Sequence, residues 1–285
     1  MNSEKLRIIE AREIEQAITE LAVKANTVLR ADILKKLKQA AGKEKEPLAK
    51  MALQQIIENA AIAKSEHLAI CQDTGLPVIF VEWGEGMLLK NGSLEVAVNK
   101  GIETAYRKAS FRSSIIQDPL RRKKDIRYTP AVIYVDMKPS DKVKLTVAPK
   151  GFGSENVSQV KMFKPTAEPE EIVDFVVNAA AEAGPNACPP FIIGVGIGAT
   201  LDKAVILSKK ALCRDITRVN PDSYLSALEK KMSAKINNLK IGPMGFGGKC
   251  TTLAVNILTA PTHIAGLPVA VSIGCHATRS ATAIL

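Results

Sequence analysis

The order of segments predicts an α/β chain of mixed sheets with packed helices, and three observations carry that prediction. Stretches with a helical apolar repeat interleave with short β-branched runs along all 285 residues. The first third carries helical periodicity almost throughout, so an N-terminal helical layer is expected. No internal repeat or long low-complexity linker interrupts the chain, which reads as a single domain over 1–285 with a soft sub-lobe boundary near 165–169.

In order, residues 8–29 set Ile8, Ile9, Ala11, Ile14, Ala17, Ile18, Leu21 and Ala22 near a 3.6-residue repeat. A second helix is expected over Ala31–Ala41, ending near Gly42, and a third over Pro47–Ser65, where Pro47 suits the first turn. A strand at Leu76–Trp83 follows. The next helix spans Ser93–Ser110, with Ser93 as a partial N-cap because Val96 stands where a capping box carries an acid. Ala131–Met137 and Lys142–Ala148 read as strands joined by the turn residues Pro139-Ser140-Asp141, and the second alternates polar and apolar, so one face is expected to be wet. Glu168–Ala183 is a helix stopped at Gly184-Pro185. A strand at Phe191–Val195, helices at Leu201–Leu212 and Pro221–Leu239, and strands at Thr252–Leu258 and Val269–Ile273 complete the order.

Composition narrows the class. With 46% hydrophobic and 24% charged residues the chain has the balance of a globular protein. No apolar run approaches the ~18 residues that a membrane span requires. The start, Met1-Asn2-Ser3-Glu4-Lys5, lacks the apolar core of a signal peptide, so a cytoplasmic location is the default expectation. Five cysteines, an odd number, do not form a secreted disulfide framework. The net charge of +10 suits nucleic acid or small anions as partners. Aromatics are only 4% and the basic residues are dispersed apart from Arg121-Arg122-Lys123-Lys124, with Arg127 just beyond. That tract is the basis for a basic RNA-binding reading, with a solvated loop as its plain alternative, and charge alone does not decide.

Three cysteines stand in separate loop-forming segments: Ile70-Cys71-Gln72-Asp73-Thr74-Gly75, Asn186-Ala187-Cys188-Pro189-Pro190 and Gly274-Cys275-His276-Ala277. Their wide separation rules out a local zinc knuckle. Two readings stay open. Three thiolates gathered by the fold can hold three corners of a four-iron cluster and leave one iron open as a Lewis acid, or all three are ordinary buried thiols.

Glycine loops add a second ambiguity. Gly194-Val195-Gly196-Ile197-Gly198-Ala199 fits the dinucleotide pattern G-x-G-x-x-A between a strand and a helix. That fingerprint needs an acidic residue ending the next strand; Asp215 has the distance but follows a helix end. A nucleotide-dependent dehydrogenase is therefore a rival reading. The same glycines can let backbone crowd a cluster or a carboxylate, as can Gly151-Phe152-Gly153-Ser154-Glu155-Asn156 and Gly242-Pro243-Met244-Gly245-Phe246-Gly247-Gly248.

Taken together, these strings resemble the class I (iron–sulfur) fumarate hydratase family, which includes the L-tartrate dehydratases. The resemblance runs through Cys71–Gly75, Pro130-Ala131-Val132-Ile133, Lys150–Asn156, Cys188-Pro189-Pro190, Gly242–Gly248 with Thr251-Thr252, and Pro261-Thr262-His263. It continues through Leu267-Pro268-Val269-Ala270 to Cys275-His276. The segment Arg122–Tyr128 departs from the family's Asn/Thr/Gly/Asp-rich string ahead of Pro130.

The resemblance implies two lobes around an iron–sulfur site. Cys71, Cys188 and Cys275 would ligate a 4Fe-4S cluster with one iron lacking a protein ligand. Cys213 and Cys250 would be structural thiols, with Cys250 the rival for third ligand. Asp73 and His263 would be catalytic, and Gln72, Arg112 and Gly153 would bind substrate, Arg112 through a planar fork suited to a carboxylate. His276 would stand behind the cluster ligand. Full-length members continue beyond the third cysteine, while others split the two regions. This chain, ending at Leu285, is thus expected to be an α subunit needing a separate β subunit, in a heterotetramer. The leading expectation is reversible hydration of fumarate to L-malate, with L-tartrate dehydration as the alternative.

Overall fold

A computed structural model describes residues 6–122 and 125–285. The expected features at Met1–Lys5, and Lys123 and Lys124 of the basic tract, lie outside the described residues. The chain runs β1 (Arg7–Glu10), α1 (Ala11–Thr27), α2 (Ala31–Lys43), α3 (Pro47–Ser65), β2 (Leu76–Gly84), β3 (Met87–Lys90) and α4 (Leu94–Lys108). It continues with β4 (Ile115–Ile116), β5 (Ile126–Arg127), β6 (Val132–Lys138), β7 (Val143–Lys150), the one-turn α5 (Phe152–Glu155), β8 (Gln159–Phe163) and α6 (Pro169–Ala183). The last elements are β9 (Phe191–Gly198), α7 (Leu201–Leu212), α8 (Ser223–Asn237), β10 (Thr252–Ala260), β11 (Leu267–Gly274) and β12 (Ala281–Ile284). The α/β expectation with mixed sheets holds.

Two compact units divide the chain discontinuously. The first comprises residues up to Arg30, Ala60–Phe152 and Arg279–Leu285; the second comprises Ala31–Asn59 and Gly153–Thr278. The segment 165–169 lies inside the second. Helix α1 belongs to the first unit and α2 to the second.

In the first unit the sheet order is β12-β7-β2-β6, with β6 parallel and β7 antiparallel to β2. The strands β6 and β7, joined by a short turn, therefore flank β2 and do not pair with each other. Helix α1 buries Ile14, Ile18 and Leu21 with Val98, Ile102 and Tyr106 of α4 against Ile79, Val81, Leu145 and Val147. Each aliphatic side chain so buried contributes roughly 1.5–3 kcal/mol. The helix expected from residue 8 begins at Ala11, because Ile8 and Ile9 pair in parallel with β3 instead. The side chains of Glu10 and Glu13 complete a reciprocal capping box at that start. Ser93 caps α4 by accepting the Val96 N–H at 3.3 Å.

In the second unit the order is β10-β9-β11-β8, with β10 parallel and β11 antiparallel to β9. Alternation along β9 explains its glycines. Phe191, Ile193 and Val195 pack with Val173 and Val176 of α6 and with Met232 and Ile236 of α8. Gly194 and Gly196 face α7, where a Cβ would stand 2.0 Å from the carbonyl oxygens of Ser208 and Ala204. The helix expected from Pro221 starts at Ser223, because Asp222 accepts the Tyr224 and Leu225 N–H groups at 2.9 and 3.1 Å as N-cap.

Candidate active site

Strand direction gathers the conspicuous residues of the first unit. The Cys71–Thr74 loop precedes β2, and Gly151-Phe152 follows the antiparallel β7, so both lie at one end of the sheet. Arg279 precedes β12, whose Ala281 pairs with Val147 near that same end. Both Asp73 carboxylate oxygens accept backbone N–H groups, Oδ1 from Gly75 at 3.0 Å and Oδ2 from Phe152 at 2.8 Å. Thr74 Oγ1 donates to the Arg112 carbonyl at 3.0 Å, which ties the exposed Arg112 to the loop. Tyr106 donates to the Thr74 carbonyl at 2.9 Å, and burial pushes its phenol up to about 12. Asp73 thus shapes the loop as well as standing in it.

The second unit builds a corresponding end. Cys188 precedes β9, the Gly242–Gly248 loop and Cys250 precede the parallel β10, and Cys275 follows the antiparallel β11, whose Gly274 pairs with Ile192. All four features share one end of the sheet. His276 binds the Cys188 carbonyl twice, donating from its backbone N–H and from Nδ1, each at 3.1 Å. A carbonyl can only accept, which fixes the proton on Nδ1. Met244 N–H donates to the Pro189 carbonyl at 2.9 Å, so the glycine loop is laced to the Cys188 turn. Cys188 itself sits in the left-handed region, at φ 55°, followed by the cis Pro189–Pro190 bond. Gly242 cannot be replaced without moving backbone, since a Cβ there would lie 1.4 Å from the Gly247 carbonyl oxygen.

His263 is not brought to this end. It lies before β11 and Cys275 lies after it, and β11 spans eight residues, Leu267–Gly274. At ~3.3 Å per residue its ends are roughly 23 Å apart. The His263 loop is anchored instead at the far end of β9, where Thr262 Oγ1 donates to the Ala199 carbonyl at 3.0 Å. His263 Nδ1 accepts the Ala265 N–H at 3.1 Å. Gly153 is exposed, one residue along the chain from the amide that binds Asp73, with nothing within 4 Å of where a Cβ would stand.

The five cysteines are thiols of intermediate exposure, and they differ in chemistry. Cys250 donates to the Thr252 carbonyl at 3.8 Å, and burial, with the Glu44 charge beside it, pushes its thiol up to about 12. Coordination would have to displace that proton, since the thiolate is the coordinating form. Cys213 donates one helical turn back to the Lys209 carbonyl at 3.8 Å. Among the described residues no group of three or more His, Cys, Asp or Glu side chains stands as a set that could hold a metal ion. A four-iron cluster makes a different demand, because each thiolate binds its own iron atom. Loop thiols of intermediate exposure, soft donors at sheet ends, fit that demand; the Cys250 thiol, held in its neutral form, fits it less well.

The rival motifs take other roles. Gly194 and Gly196 lie within β9 and serve helix–sheet packing, so they do not form a phosphate-cradling turn. In the basic tract Arg121 pairs with Asp118, and Arg127 pairs with Asp125 at 2.9 Å. Two residues that sequence reasoning missed stand out. Arg279 is buried at 5% exposure beside Asp73, and Glu44 is buried at 5% beneath the glycine loop. Burial raises the Glu44 carboxyl, but N–H groups of Lys249, Glu46 and Lys45 outweigh it and hold the group below its ordinary range. The only sequence signal for Arg279 was a lone arginine among small residues, Ala277-Thr278-Arg279-Ser280-Ala281.

The layered α/β units with cysteine loops at their sheet ends define a class that comparison with known proteins makes specific. A family model described as fumarate hydratase (Fumerase) matches residues 15–284, and the chain belongs to that family. A protein of Methanocaldococcus jannaschii, named provisionally as an L(+)-tartrate dehydratase subunit alpha, is 37% identical over 278 residues, covering 94% of this chain and 96% of its own. The L(+)-tartrate dehydratase subunit alpha of Escherichia coli strain K12 is 28% identical over 288 residues, covering 100% of this chain and 95% of its own. No helix among the described residues is long and apolar enough to cross a membrane.

Proposed function

We propose that this chain is the α subunit of an iron–sulfur hydro-lyase that dehydrates L(+)-tartrate, working with a β subunit in a heterotetramer. The carrying observation is the match along nearly the full length to proteins named L(+)-tartrate dehydratase subunit alpha. Those names favour tartrate over the fumarate substrate that the sequence put first. Hydration of fumarate to L-malate is the second reading, supported by the description of the family. A reducing cytoplasm, where thiols stay available to iron, suits either.

Cys71, Cys188 and Cys275 would hold the 4Fe-4S cluster. The His276 bonds to the Cys188 carbonyl and the shared sheet end support pairing two of them. When bound, the cluster supplies a Lewis-acidic iron that weakens the C–O bond of the departing hydroxyl without changing the overall oxidation state. The protein's own groups do the rest. Gln72, adjacent to Cys71, offers an amide to a substrate carboxylate, and Arg112, tied through its carbonyl to Thr74, offers a planar two-donor fork to the other. The exposed Gly153 adds a backbone N–H. Asp73, with each oxygen already holding one N–H and one lone pair to spare, can orient the base that takes the proton from the neighbouring carbon. General-base help of that kind contributes roughly 10²–10⁴-fold. His263 receives no step within one chain, because β11 separates it from Cys275.

The test is a substrate panel on the chain reconstituted anaerobically with its β partner. The expected result is a kcat/KM for L(+)-tartrate at least about 10-fold above that for L-malate or fumarate, a margin of about 1.4 kcal/mol in transition-state binding. Faster turnover of fumarate would move the assignment to the second reading. The α chain alone is expected to show little activity on any of them.

A further inference from the structure

The mechanism uses Cys71 and Gln72 but does not explain what holds them. Asn26, fully buried, brackets them from one side: its carbonyl accepts the Ile70 N–H at 2.9 Å, and its Nδ2 donates to the Ala22 carbonyl at 3.1 Å within α1. Arg279 closes the bracket. Its two terminal nitrogens donate separately, one to Asn26 Oδ1 at 3.1 Å and the other to the Asp73 carbonyl at 2.7 Å. The ring of bonds therefore runs from Ile70 through Asn26 and Arg279 to Asp73, and the two residues inside it are Cys71 and Gln72. Both acceptors of this guanidinium are neutral, and Arg279 forms no ion pair among the described residues. Burying a charge outside ion-pair contact is unfavourable for stability, even with the Asp73 carboxylate nearby. What the residue supplies in return is a rigid two-armed fork that a neutral or single-headed side chain lacks.

We propose that Arg279 is a positioning residue that fixes the Cys71-Gln72 segment for the reaction by clamping the Asp73 backbone to Asn26. The inference rests on the proposed roles of Cys71 and Gln72, but its test does not depend on turnover. Arg279→Met and Arg279→Lys would be prepared as full-length, metal-free protein. The native-state alkylation rate of each cysteine by iodoacetamide would then be read by mass spectrometry beside a thermal melt. The expected result is a rise of at least about fivefold at Cys71 with less than twofold at Cys188, larger for Met than for Lys. Lys retains the charge and keeps the test usable if the Met variant does not fold. In the reconstituted enzyme the same variants should raise KM as well as lower kcat, since Gln72 contacts substrate in the ground state. An equal rise at every thiol, tracking the loss in melting temperature, would reduce Arg279 to a general stabiliser. No selective rise at Cys71 in any variant that folds would also overturn the proposal. The alkylation ratio decides even if the substrate panel finds neither tartrate nor fumarate turned over.

Discussion

The cysteine-bearing ends of the two units are held by different means. In the first unit side chains do the holding: Asp73 accepts two N–H groups, and Arg279 and Asn26 bridge across the loop. In the second unit main chain does much of it, through the His276 N–H on the Cys188 carbonyl, Met244 N–H on the Pro189 carbonyl, and glycines packed to contact, with the His276 ring adding a side-chain bond. A side-chain clamp is removed by one substitution at the clamp. A backbone lattice fails where a side chain is added. The difference tells which residue types control each thiol, and that can be broken from either side.

The largest expected effect comes from the backbone side. Gly242→Ala puts a Cβ 1.4 Å from the Gly247 carbonyl at φ +71°, so the loop must move or unfold. A loss of more than about 4 kcal/mol in denaturant unfolding is expected, from the overpacking and backbone-strain class of substitution. Cys188 and Cys250 alkylation should accelerate well before Cys71 does. Equal acceleration at all three thiols would erase the contrast between the units.

A smaller effect sharpens the comparison at the charged group of the second unit's arrangement. Glu44 accepts N–H groups from Lys45, Glu46 and Lys249 at 2.9, 3.1 and 2.8 Å, the last beneath the glycine loop. Because its folded carboxyl is held below the ordinary value, its contribution is present above about pH 4.5 and is lost as pH falls through the folded value. Glu44→Gln should therefore cost about 1–2 kcal/mol at pH 7, with the difference from wild type vanishing as pH falls through the folded value. A pH-independent difference would assign the loss to packing instead.

Much of this was legible in the sequence, and the failures have physical causes. The α7 segment, Leu201–Leu212, carried a clear helical repeat with consistent flanks, and the structure keeps those bounds. Strand β1 was hidden because Ile8 and Ile9 continue the apolar repeat of α1, and only the distant pairing with β3 draws them into a strand. Strand β8, Gln159-Val160-Lys161-Met162-Phe163, is an edge strand of mixed polarity that shows itself only beside β11. For the candidate site, loop chemistry picked out Cys71, Cys188 and Cys275, but strand direction is not written locally. Nothing near His263 says that β11 will carry Cys275 to the other end of the sheet. Arg279 was invisible for a related reason: its partner Asn26 lies 253 residues away in the chain.

The most direct measurement for the whole account is the iron content of single Cys→Ser variants after anaerobic reconstitution, read together with the cluster's absorption. Wild type and Cys250→Ser should carry about four iron atoms per chain, while Cys71→Ser, Cys188→Ser and Cys275→Ser should each lose most of the iron. Loss of iron in Cys250→Ser with retention in Cys275→Ser would contradict the account, as would wild-type iron in all four variants.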